Sequence, residues 1–298
     1  MEYVKLSDTL QISRIVAGFM RAASAGAKGE TLLSFIEKCL DMGITTFDHA
    51  DIYGSYQCEA LFGEALAIKP ALRKKMQLVT KCNIVLDNPS KNTIYHYNTS
   101  KKHIISSLES SLRHLNTDYI DLLLIHRQDP LMNPYEVADA FDTLYKDGKV
   151  KNFGVSNFTP SGFNMLDSVL DLPLVTNQIE ISAVHPQAFF DGSTDHGMEK
   201  RIPLMAWSPL GGGKVFNPDF RDYAGLRNVL QEIASENNID SIDKILYAFL
   251  LKHPARICPI IGSMEISRIK SGVDALDISL TREQWFSILE ASRGFRMP

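Results

Sequence analysis

Residues 119–156 read YIDLLLIHRQDPLMNPYEVADAFDTLYKDGKVKNFGVS. The stretch opens with a continuous apolar run that ends in His126 and closes with VKNFGVS at residues 150–156. Between these runs, residues 137–146 carry apolar side chains at the spacing of one helical face. Continuous apolar runs are typical of strands that are buried on both faces of a parallel sheet. The stretch therefore predicts a strand, a helix and a second strand parallel to the first.

The same alternation extends along nearly the whole chain. Eight strands are predicted, at residues 14–18, 44–48, 76–82, 119–126, 150–156, 174–180, 202–207 and 257–262. Helical patterns lie between them, at residues 32–43, 59–67, 103–115, 137–146, 226–235 and 242–251, with a shorter helix running toward Ser168. Eight such units in 298 residues predict an α/β protein, a (β/α)8 TIM barrel that spans residues 1–298 as a single domain. An open doubly wound sheet is the alternative, but the first strand leads into GFMRAASAGAKG, which lacks the GxGxxG pattern.

Three features are predicted beyond the repeating units. An N-terminal β-hairpin is expected at residues 4–6 and 10–12, where it could plug the N-terminal end of the barrel. Residues 281–292 predict an extra C-terminal helix. The longest irregular stretch, residues 84–98, follows the third strand. Long loops in compact domains are usually functional or disordered, and the place of this one at the carboxyl end of a strand favours function.

Composition excludes several classes of protein. The net charge is -4, and lysine and arginine are spread along the chain, which disfavours nucleic-acid binding. The start of the chain has no apolar signal region, and no apolar run is long enough to cross a membrane. The four cysteines, Cys39, Cys58, Cys82 and Cys258, are scattered and have no metal-binding spacing. We expect a cytoplasmic protein with packed, reduced thiols, no metal, no membrane contact and no nucleic-acid partner.

Polar and aromatic residues collect at the predicted carboxyl ends of the strands, where barrels of this kind carry their active sites. Each residue alone has an ordinary explanation, since Asp and Ser often cap helices and a single His is usually a core residue. A whole ring of such residues is hard to explain by chance. Its members are Asp48, Tyr53, Lys81, His126, Ser156, Asn157, Gln178, Glu180, Trp207 and Ser208.

Four of these residues form a sensible proton donor. A phenol has a pKa of about 10, so Tyr53 alone is a weak acid. An ammonium such as Lys81 about 4 Å away contributes roughly 4 kcal/mol at an effective dielectric of 20. Asp48 would keep Lys81 charged, and His126 would orient a substrate oxygen. The sequence thus predicts that Tyr53 is an acid whose pKa is lowered by Lys81.

The loops after strands seven and eight are the places where barrels often bind phosphate. Residues 208–215 read SPLGGGKV, and glycines there expose backbone N–H groups. Gly262, Ser263 and Met264 precede a helix N-terminus, which favours anions. Arg268 is placed to donate hydrogen bonds to a phosphate from its forked guanidinium group.

Six motifs carry a family resemblance: FDHADIYG (47–54), TK (80–81), LLLIH (122–126), GVSNF (154–158), NQIE (177–180) and WSPLGGG (207–213). In order and spacing they resemble the aldo-keto reductases, and the likeness runs from RIVAGFM near the start to IIGS and Arg268 near the end. The resemblance implies a barrel that binds NADP(H) without a Rossmann domain. It also implies that Asp48, Tyr53, Lys81 and His126 are the catalytic tetrad.

The resemblance further implies how the cofactor is held. Ser156, Asn157 and Gln178 would grip the nicotinamide carboxamide, and Trp207, where most of the family has Tyr, would stack on the nicotinamide ring. Arg268 would meet the 2′-phosphate. The remaining cofactor-binding residues would be Ser208, Leu210, Gly211, Gly212, Gly262, Ser263 and Met264. Gly262 replaces a lysine of some relatives, and His49 replaces the usual small residue after Asp48.

Three functions are compatible with these residues. The first is NADPH-dependent reduction of an aldehyde or ketone by a monomer. The second is an NADP(H)-binding, redox-sensing regulatory protein with slow turnover. The third is a barrel lyase or isomerase that uses Lys81 as a Schiff base, which would leave Asn157, Gln178 and Trp207 without a role. The substrate, a small carbonyl compound, is expected among Phe19, Met20, Tyr56, Gln128 and residues 84–98.

Overall fold

Eight parallel strands close into a barrel in this computed structural model, which describes residues 1–90, 92–220 and 222–298. In chain order the strands are β1 (Tyr3–Lys5), β2 (Gln11–Ser13), β3 (Val16–Gly18), β4 (Thr46–Asp48), β5 (Gln77–Cys82), β6 (Ile84–Val85), β7 (His96–Tyr97), β8 (Leu122–Ile125), β9 (Phe153–Ser156), β10 (Leu174–Glu180), β11 (Met205–Trp207) and β12 (Cys258–Ile261). The barrel runs β3, β4, β5, β8, β9, β10, β11, β12, and β12 pairs back to β3. The predicted (β/α)8 barrel is therefore confirmed.

Helices surround the barrel. They are α1 (Gly29–Asp41), α2 (Tyr53–Tyr56), α3 (Cys58–Ile68), α4 (Lys101–His114), α5 (Pro134–Lys146), α6 (Pro160–Asp167), α7 (Ser193–Lys200), α8 (Ala224–Glu236), α9 (Ile242–Leu251), α10 (Ile266–Asp274) and α11 (Arg282–Arg293). Several begin at side-chain caps: Ser100 accepts from the backbone of His103, and Thr281 forms a capping box with Gln284. The extra C-terminal helix predicted from the sequence is α11.

The N-terminal hairpin closes one end of the barrel. Strands β1 and β2 pair antiparallel, with Val4 opposite Ile12. Both side chains are fully buried, and they share a core cluster with inward-facing strand residues such as Val79 and Met205. The hairpin thus supplies apolar side chains that seal the barrel interior, as predicted.

Three elements differ from the sequence prediction, and the first is the short helix α2, which no helical pattern indicated. Helix α7 was not predicted, because STDHGMEK has too few apolar residues to show a helical period. The long loop of residues 84–98 is not wholly irregular, since β6 and β7 pair with Ile84 opposite Tyr97. Lys91, in the same loop, lies outside the described residues. In the described part of the chain, no helix combines the length and the apolar character needed to cross a membrane.

Candidate active site

Lys81 is the centre of a buried polar network at the carboxyl rim of the barrel. Its ammonium nitrogen Nζ lies 2.9 and 2.8 Å from the two carboxylate oxygens of Asp48 and donates to the backbone oxygen of His49 at 2.6 Å. It also lies 3.2 Å from the hydroxyl oxygen of Tyr53. The contacts arise because β4 and β5 are neighbours and Tyr53 begins the short helix α2 after β4. The structure therefore brings together three residues that are up to 33 positions apart.

The charge of Lys81 follows from these contacts. Burial alone lowers the pKa of Lys81, but Asp48 and Tyr53 outweigh that effect and the net pKa is raised. The lysine is consequently an ammonium at neutral pH. A Schiff-base lysine must be neutral to attack a carbonyl, so the buried ion pair with Asp48 argues against the lyase hypothesis.

The pKa of Tyr53 corrects the sequence prediction. Burial raises the pKa of the Tyr53 phenol, and the attraction of Lys81 opposes that shift without cancelling it. Asp48 adds to the rise, while Arg127 adds to the opposing effect. Lys81 therefore acts in the predicted direction, but the predicted net lowering is wrong. The phenol stays protonated at neutral pH, which is the form that a proton donor requires.

His126 completes the group. Its ring centre lies 5.9 Å from that of Tyr53, with the planes nearly perpendicular. Burial lowers the pKa of His126 well below its ordinary value, and Lys81 and Arg127 lower it further. The imidazole is thus neutral, with one N–H to donate and one nitrogen without a proton. Its buried Nδ1 has no hydrogen-bond partner among the described residues.

A second network joins the residues expected at the nicotinamide. Trp207 Nε1 donates to Asn157 Oδ1 at 2.9 Å, and Asn157 Nδ2 donates to Ser156 Oγ at 2.8 Å. Ser156 Oγ donates to the backbone oxygen of Gln178 at 2.7 Å, and Gln178 Nε2 donates to Asp48 Oδ1 at 2.8 Å. The chain of hydrogen bonds therefore runs from the Trp207 ring to Asp48. Among the described residues, the amide oxygen of Gln178 accepts no protein hydrogen bond, which leaves it for a ligand.

The glycine-rich loop after β11 adopts the backbone that its sequence requires. Gly211, Gly212 and Gly213 have φ angles of 56°, 71° and 85°, a region that L residues seldom occupy. A Cβ atom at Gly211 would lie 1.6 Å from Val184 Cγ2. Ser208 and Leu210 flank this turn. The loop thus presents backbone, not side chains, at the rim, as a site for phosphate would need.

The loop after β12 begins helix α10. Ser263 Oγ accepts from the backbone of Glu265 at 3.1 Å, and Met264 packs against the main hydrophobic core. Arg268 is exposed, and its Nε lies 3.1 Å from Glu265 Oε2. An exposed ion pair of this kind is worth only about 0–1 kcal/mol. The pair therefore leaves Arg268 available to an anion.

Two arginines at the rim were not predicted from the sequence to be site residues. Arg21 follows β3 and donates from Nη1 to the backbone oxygen of Gly262 at 2.9 Å. Arg127 follows β8 and His126, with its guanidinium carbon 5.8 Å from the centre of the Trp207 ring. Both stand just after strand ends, so the same rim rule that selected Asp48 and His126 could have found them.

The residues expected at the substrate site differ in their exposure. Phe19 is fully buried in an aromatic cluster with Phe35, Phe47 and Phe62. Gln128 Oε1 accepts from the backbone and hydroxyl of Thr159, at the start of α6. By contrast, Met20 and Tyr56 are exposed, and Tyr56 accepts from the backbone of Leu86 at 3.2 Å. Phe19 is therefore too deeply buried to contact a substrate, whereas Met20, Tyr56, Gln128 and the loop of residues 84–98 remain candidates.

His49 packs in the same aromatic cluster as Phe19. Its ring stacks on Phe19 at 4.9 Å and meets Phe62 edge-on at 4.5 Å. Burial, followed by the charge of Lys81, lowers the pKa of His49 to about 3. Both ring nitrogens are buried and have no hydrogen-bond partner among the described residues. His49 is therefore a neutral core ring, and only its backbone touches the catalytic network.

The turn that carries Tyr53 is anchored by Asp51. One carboxylate oxygen of Asp51 accepts from the backbone of Ile52 at 2.7 Å, and the other accepts from Ser107 Oγ on α4. Burial raises the pKa of Asp51 to about 7, and the hydrogen bond from Ser107 opposes that rise. Asp51 therefore ties the Tyr53 turn to a neighbouring helix.

Comparisons with known proteins identify the family and the fold. The sequence model described as "Aldo/keto reductase family" matches residues 14–293. The chain is 49% identical to "Oxidoreductase YdhF" of Escherichia coli, over 97% of this chain and 96% of the relative. It is 43% identical to "6-dehydroglucose reductase" of Agrobacterium fabrum, over 99% of each. The crystal structure of the thermostable aldo-keto reductase Tm1743 with the inhibitor epalrestat superposes with a TM-score of 0.80 at 23% identity, covering 98% of this chain and 100% of that one, and shows the shared fold.

Proposed function

The chain belongs to the aldo/keto reductase family of oxidoreductases, and we propose that it reduces the carbonyl group of an aldehyde or ketone with NADPH. The observation that carries this proposal is the Lys81 ammonium, which lies within hydrogen-bond distance of both Asp48 and the Tyr53 hydroxyl. This arrangement supplies a protonated phenol beside a fixed positive charge at the open rim of a barrel. Such a group can protonate an oxygen and then stabilise the phenolate that remains.

The residues of the second network fit a nicotinamide cofactor. The free amide oxygen of Gln178 and the hydroxyl of Ser156 can bond to a carboxamide, with Asn157 beside them. Trp207, held by its bond to Asn157, offers a flat ring for stacking. The backbone of Gly211 and Gly212 and the start of α10 suit phosphates. The other residues assigned to the cofactor are Ser208, Leu210, Gly262, Ser263 and Met264, with Arg268 at the 2′-phosphate.

The residues have distinct roles in the reduction. NADPH, held by the residues named above, would supply a hydride to the carbonyl carbon. Tyr53 gives its proton to the carbonyl oxygen, and Lys81 stabilises the resulting phenolate until solvent returns a proton. Asp48 holds Lys81 charged and in place, and neutral His126 orients the carbonyl oxygen by donating a hydrogen bond. The products are an alcohol and NADP⁺.

The redox-sensor alternative is not favoured, because the relatives carry names of oxidoreductases and reductases. The name 6-dehydroglucose reductase places a sugar aldehyde in the panel of carbonyl compounds to be tested. The finer expectations, a single domain over residues 1–298 and a monomer, form part of this proposal. Light scattering of the purified protein would measure the oligomeric state.

The test is substitution of Tyr53 by Phe, which removes the proton but keeps the ring. We expect reduction to fall by about 10²- to 10⁴-fold, the usual contribution of a general acid. Affinity for NADPH, measured by quenching of protein fluorescence, should change little, because Tyr53 is not assigned to the cofactor. Parallel titration of the wild-type protein should give tighter binding of NADPH than of NADH. Undiminished turnover in Tyr53→Phe would remove the proton-donor role.

A further inference from the structure

Arg127 is fixed at the mouth of the candidate active site by its backbone. It follows His126 directly, at the end of β8. Asn83 Nδ2 donates to the backbone oxygen of Arg127, and the backbone N–H of Arg127 donates to Asn83 Oδ1, both at 3.0 Å. Asn83 is fully buried, and its φ angle of 99° is one that residues other than glycine seldom adopt. The position of Arg127 is therefore built into the loop after β5.

The guanidinium of Arg127 forms no hydrogen bond and no ion pair with the described residues, and its one ring contact is with Trp207. Among the described residues, no carboxylate lies within ion-pair distance of it and no acceptor takes a hydrogen bond from its side chain. Two other arginines show the contrast: Arg73 pairs with Asp121 at 2.8 Å, and Arg21 donates to the backbone oxygen of Gly262 at 2.9 Å. A guanidinium carries five N–H donors in a fork that matches a carboxylate. At Arg127 these donors are open at the rim.

The surroundings of Arg127 place that charge beside the reacting groups. Its guanidinium carbon lies 5.8 Å from the centre of the Trp207 ring, the ring offered to the nicotinamide. Its charge lowers the pKa of both Tyr53 and His126, which requires that it lies near them. Asp48 forms the ion pair of Lys81, whereas no carboxylate of the described residues pairs with Arg127. The carboxylate of Glu180, also on the rim, lies 3.8 Å from His185 Nε2.

We infer that Arg127 is a substrate-binding residue that selects carbonyl compounds bearing an anionic group, such as a carboxylate. The inference rests on the proposed reductase function and names its substrate class. A carboxylate near the reacting carbonyl would accept from the guanidinium fork while the carbonyl oxygen faces Tyr53 and His126. It would also provide the ion-pair partner that Arg127 lacks among the described residues.

The test compares aldehydes that differ in charge. Benzaldehyde and 4-carboxybenzaldehyde share a reacting group, and D-glyceraldehyde adds a neutral, hydroxyl-rich substrate. The wild-type protein should have the highest kcat/KM for 4-carboxybenzaldehyde, and raised ionic strength should increase the KM for that substrate alone. Arg127→Met should lower kcat/KM for 4-carboxybenzaldehyde by about 10- to 100-fold, the value of a hydrogen-bonded charge, mainly through KM. Arg127→Lys should retain part of the preference.

Controls separate this inference from the proposed function. Arg282→Met removes an exposed arginine from the start of α11, away from the rim, and should leave all three substrates unchanged. Equal losses for all three aldehydes in Arg127→Met would overturn the anion-binding role. If the wild-type protein reduces no aldehyde, the reductase proposal fails, but binding of benzoate can still be measured by equilibrium dialysis. Benzoate binding that is the same in wild type and Arg127→Met would then overturn the inference on its own.

Discussion

At the scale of the residue, burial decides the chemistry of the site. Lys81 is fully buried but remains charged, because Asp48 lies against it with both oxygens. Tyr53 keeps its proton, because its loss of solvent outweighs the attraction of Lys81. The ammonium therefore acts less by acidifying the free phenol than by stabilising the phenolate once the proton has left. The same burial makes His49 and His126 neutral at pH 7.

Substitutions of the buried ion pair can separate its structural role from its chemical role. Lys81→Met leaves the Asp48 carboxylate buried without its cation, which typically costs about 3–5 kcal/mol of the free energy of unfolding. The double variant Lys81→Met/Asp48→Asn removes both charges, so most of that stability should return. Both variants should lack carbonyl reduction. Urea unfolding and a carbonyl assay measure the two effects, and activity in the double variant would contradict the proposed role of Lys81.

His49 should make the protein sensitive to acid. Its pKa is about 3 in the folded chain, against about 6.5 when unfolded. Below pH 6.5 His49 binds a proton in the unfolded chain but stays neutral in the folded chain. The free energy of unfolding therefore decreases as the pH falls toward 3. The slope can reach about 1.4 kcal/mol per pH unit for one such group. His49→Phe keeps an aromatic ring in the cluster and removes this dependence. Thermal unfolding between pH 7 and 4 should therefore show a smaller loss in the variant, and parallel curves would exclude the effect.

At the scale of the element, short turns at strand ends aim the reactive side chains. Tyr53 lies on a turn in which Gly54, Ser55 and Tyr56 all have positive φ angles. Such a turn has little stability of its own, since it departs from the favoured backbone of L residues. Asp51 supplies the missing support through Ile52 and through Ser107 on α4. Helix α4 thus helps to position the proposed acid, although it contributes no group to the reaction.

Removing the anchor should affect catalysis from outside the site. Ser107→Ala leaves one oxygen of the buried Asp51 carboxylate unbonded, which should cost about 1–3 kcal/mol of stability. It should also lower kcat several-fold while the affinity for NADPH is retained. Ser106→Ala is the matched control, because the exposed Ser106 hydroxyl donates to the backbone oxygen of His103 within α4 and to no other described residue. If the two variants behaved alike in kcat and in urea unfolding, the anchoring role of Ser107 would be lost.

At the scale of the whole molecule, the helices must pack closely around a closed ring of strands. Gly63 on α3 shows how tight this packing is, since a Cβ atom there would lie 1.9 Å from the backbone oxygen of His114. Backbone cannot yield as a flexible side chain can. The approach of α3 to the end of α4 therefore requires glycine at this position. The same two helices flank the Tyr53 turn, so their spacing also fixes the rim.

Gly63→Ala should therefore be strongly destabilising. Forcing an extra methyl group into a packed site costs typically about 1–3 kcal/mol, and the backbone contact places this site at the upper end. Gly225→Ala, on the exposed face of α8, meets nothing within 4 Å and should stabilise by about 0.5–1 kcal/mol through helix propensity. Thermal unfolding of the two variants should show shifts of opposite sign. A Gly63→Ala variant as stable as the wild type would show that α3 can move away from α4.

The sequence by itself determined the barrel, the hairpin plug and the ring of polar residues at the strand ends. These follow from local patterns: apolar runs, helical periods and the residues that come after each strand. Helix α7 was not predicted, because its eight residues show too weak a helical period of apolar side chains.

Only the tertiary structure decided the protonation of Tyr53, the burial of His49 and the open guanidinium of Arg127. The bond between Gln178 and Asp48 joins residues 130 positions apart, and no local pattern encodes such a pair. A pKa depends on every charge and every lost water around a group. That environment exists only once the closed barrel has brought distant strand ends to one rim.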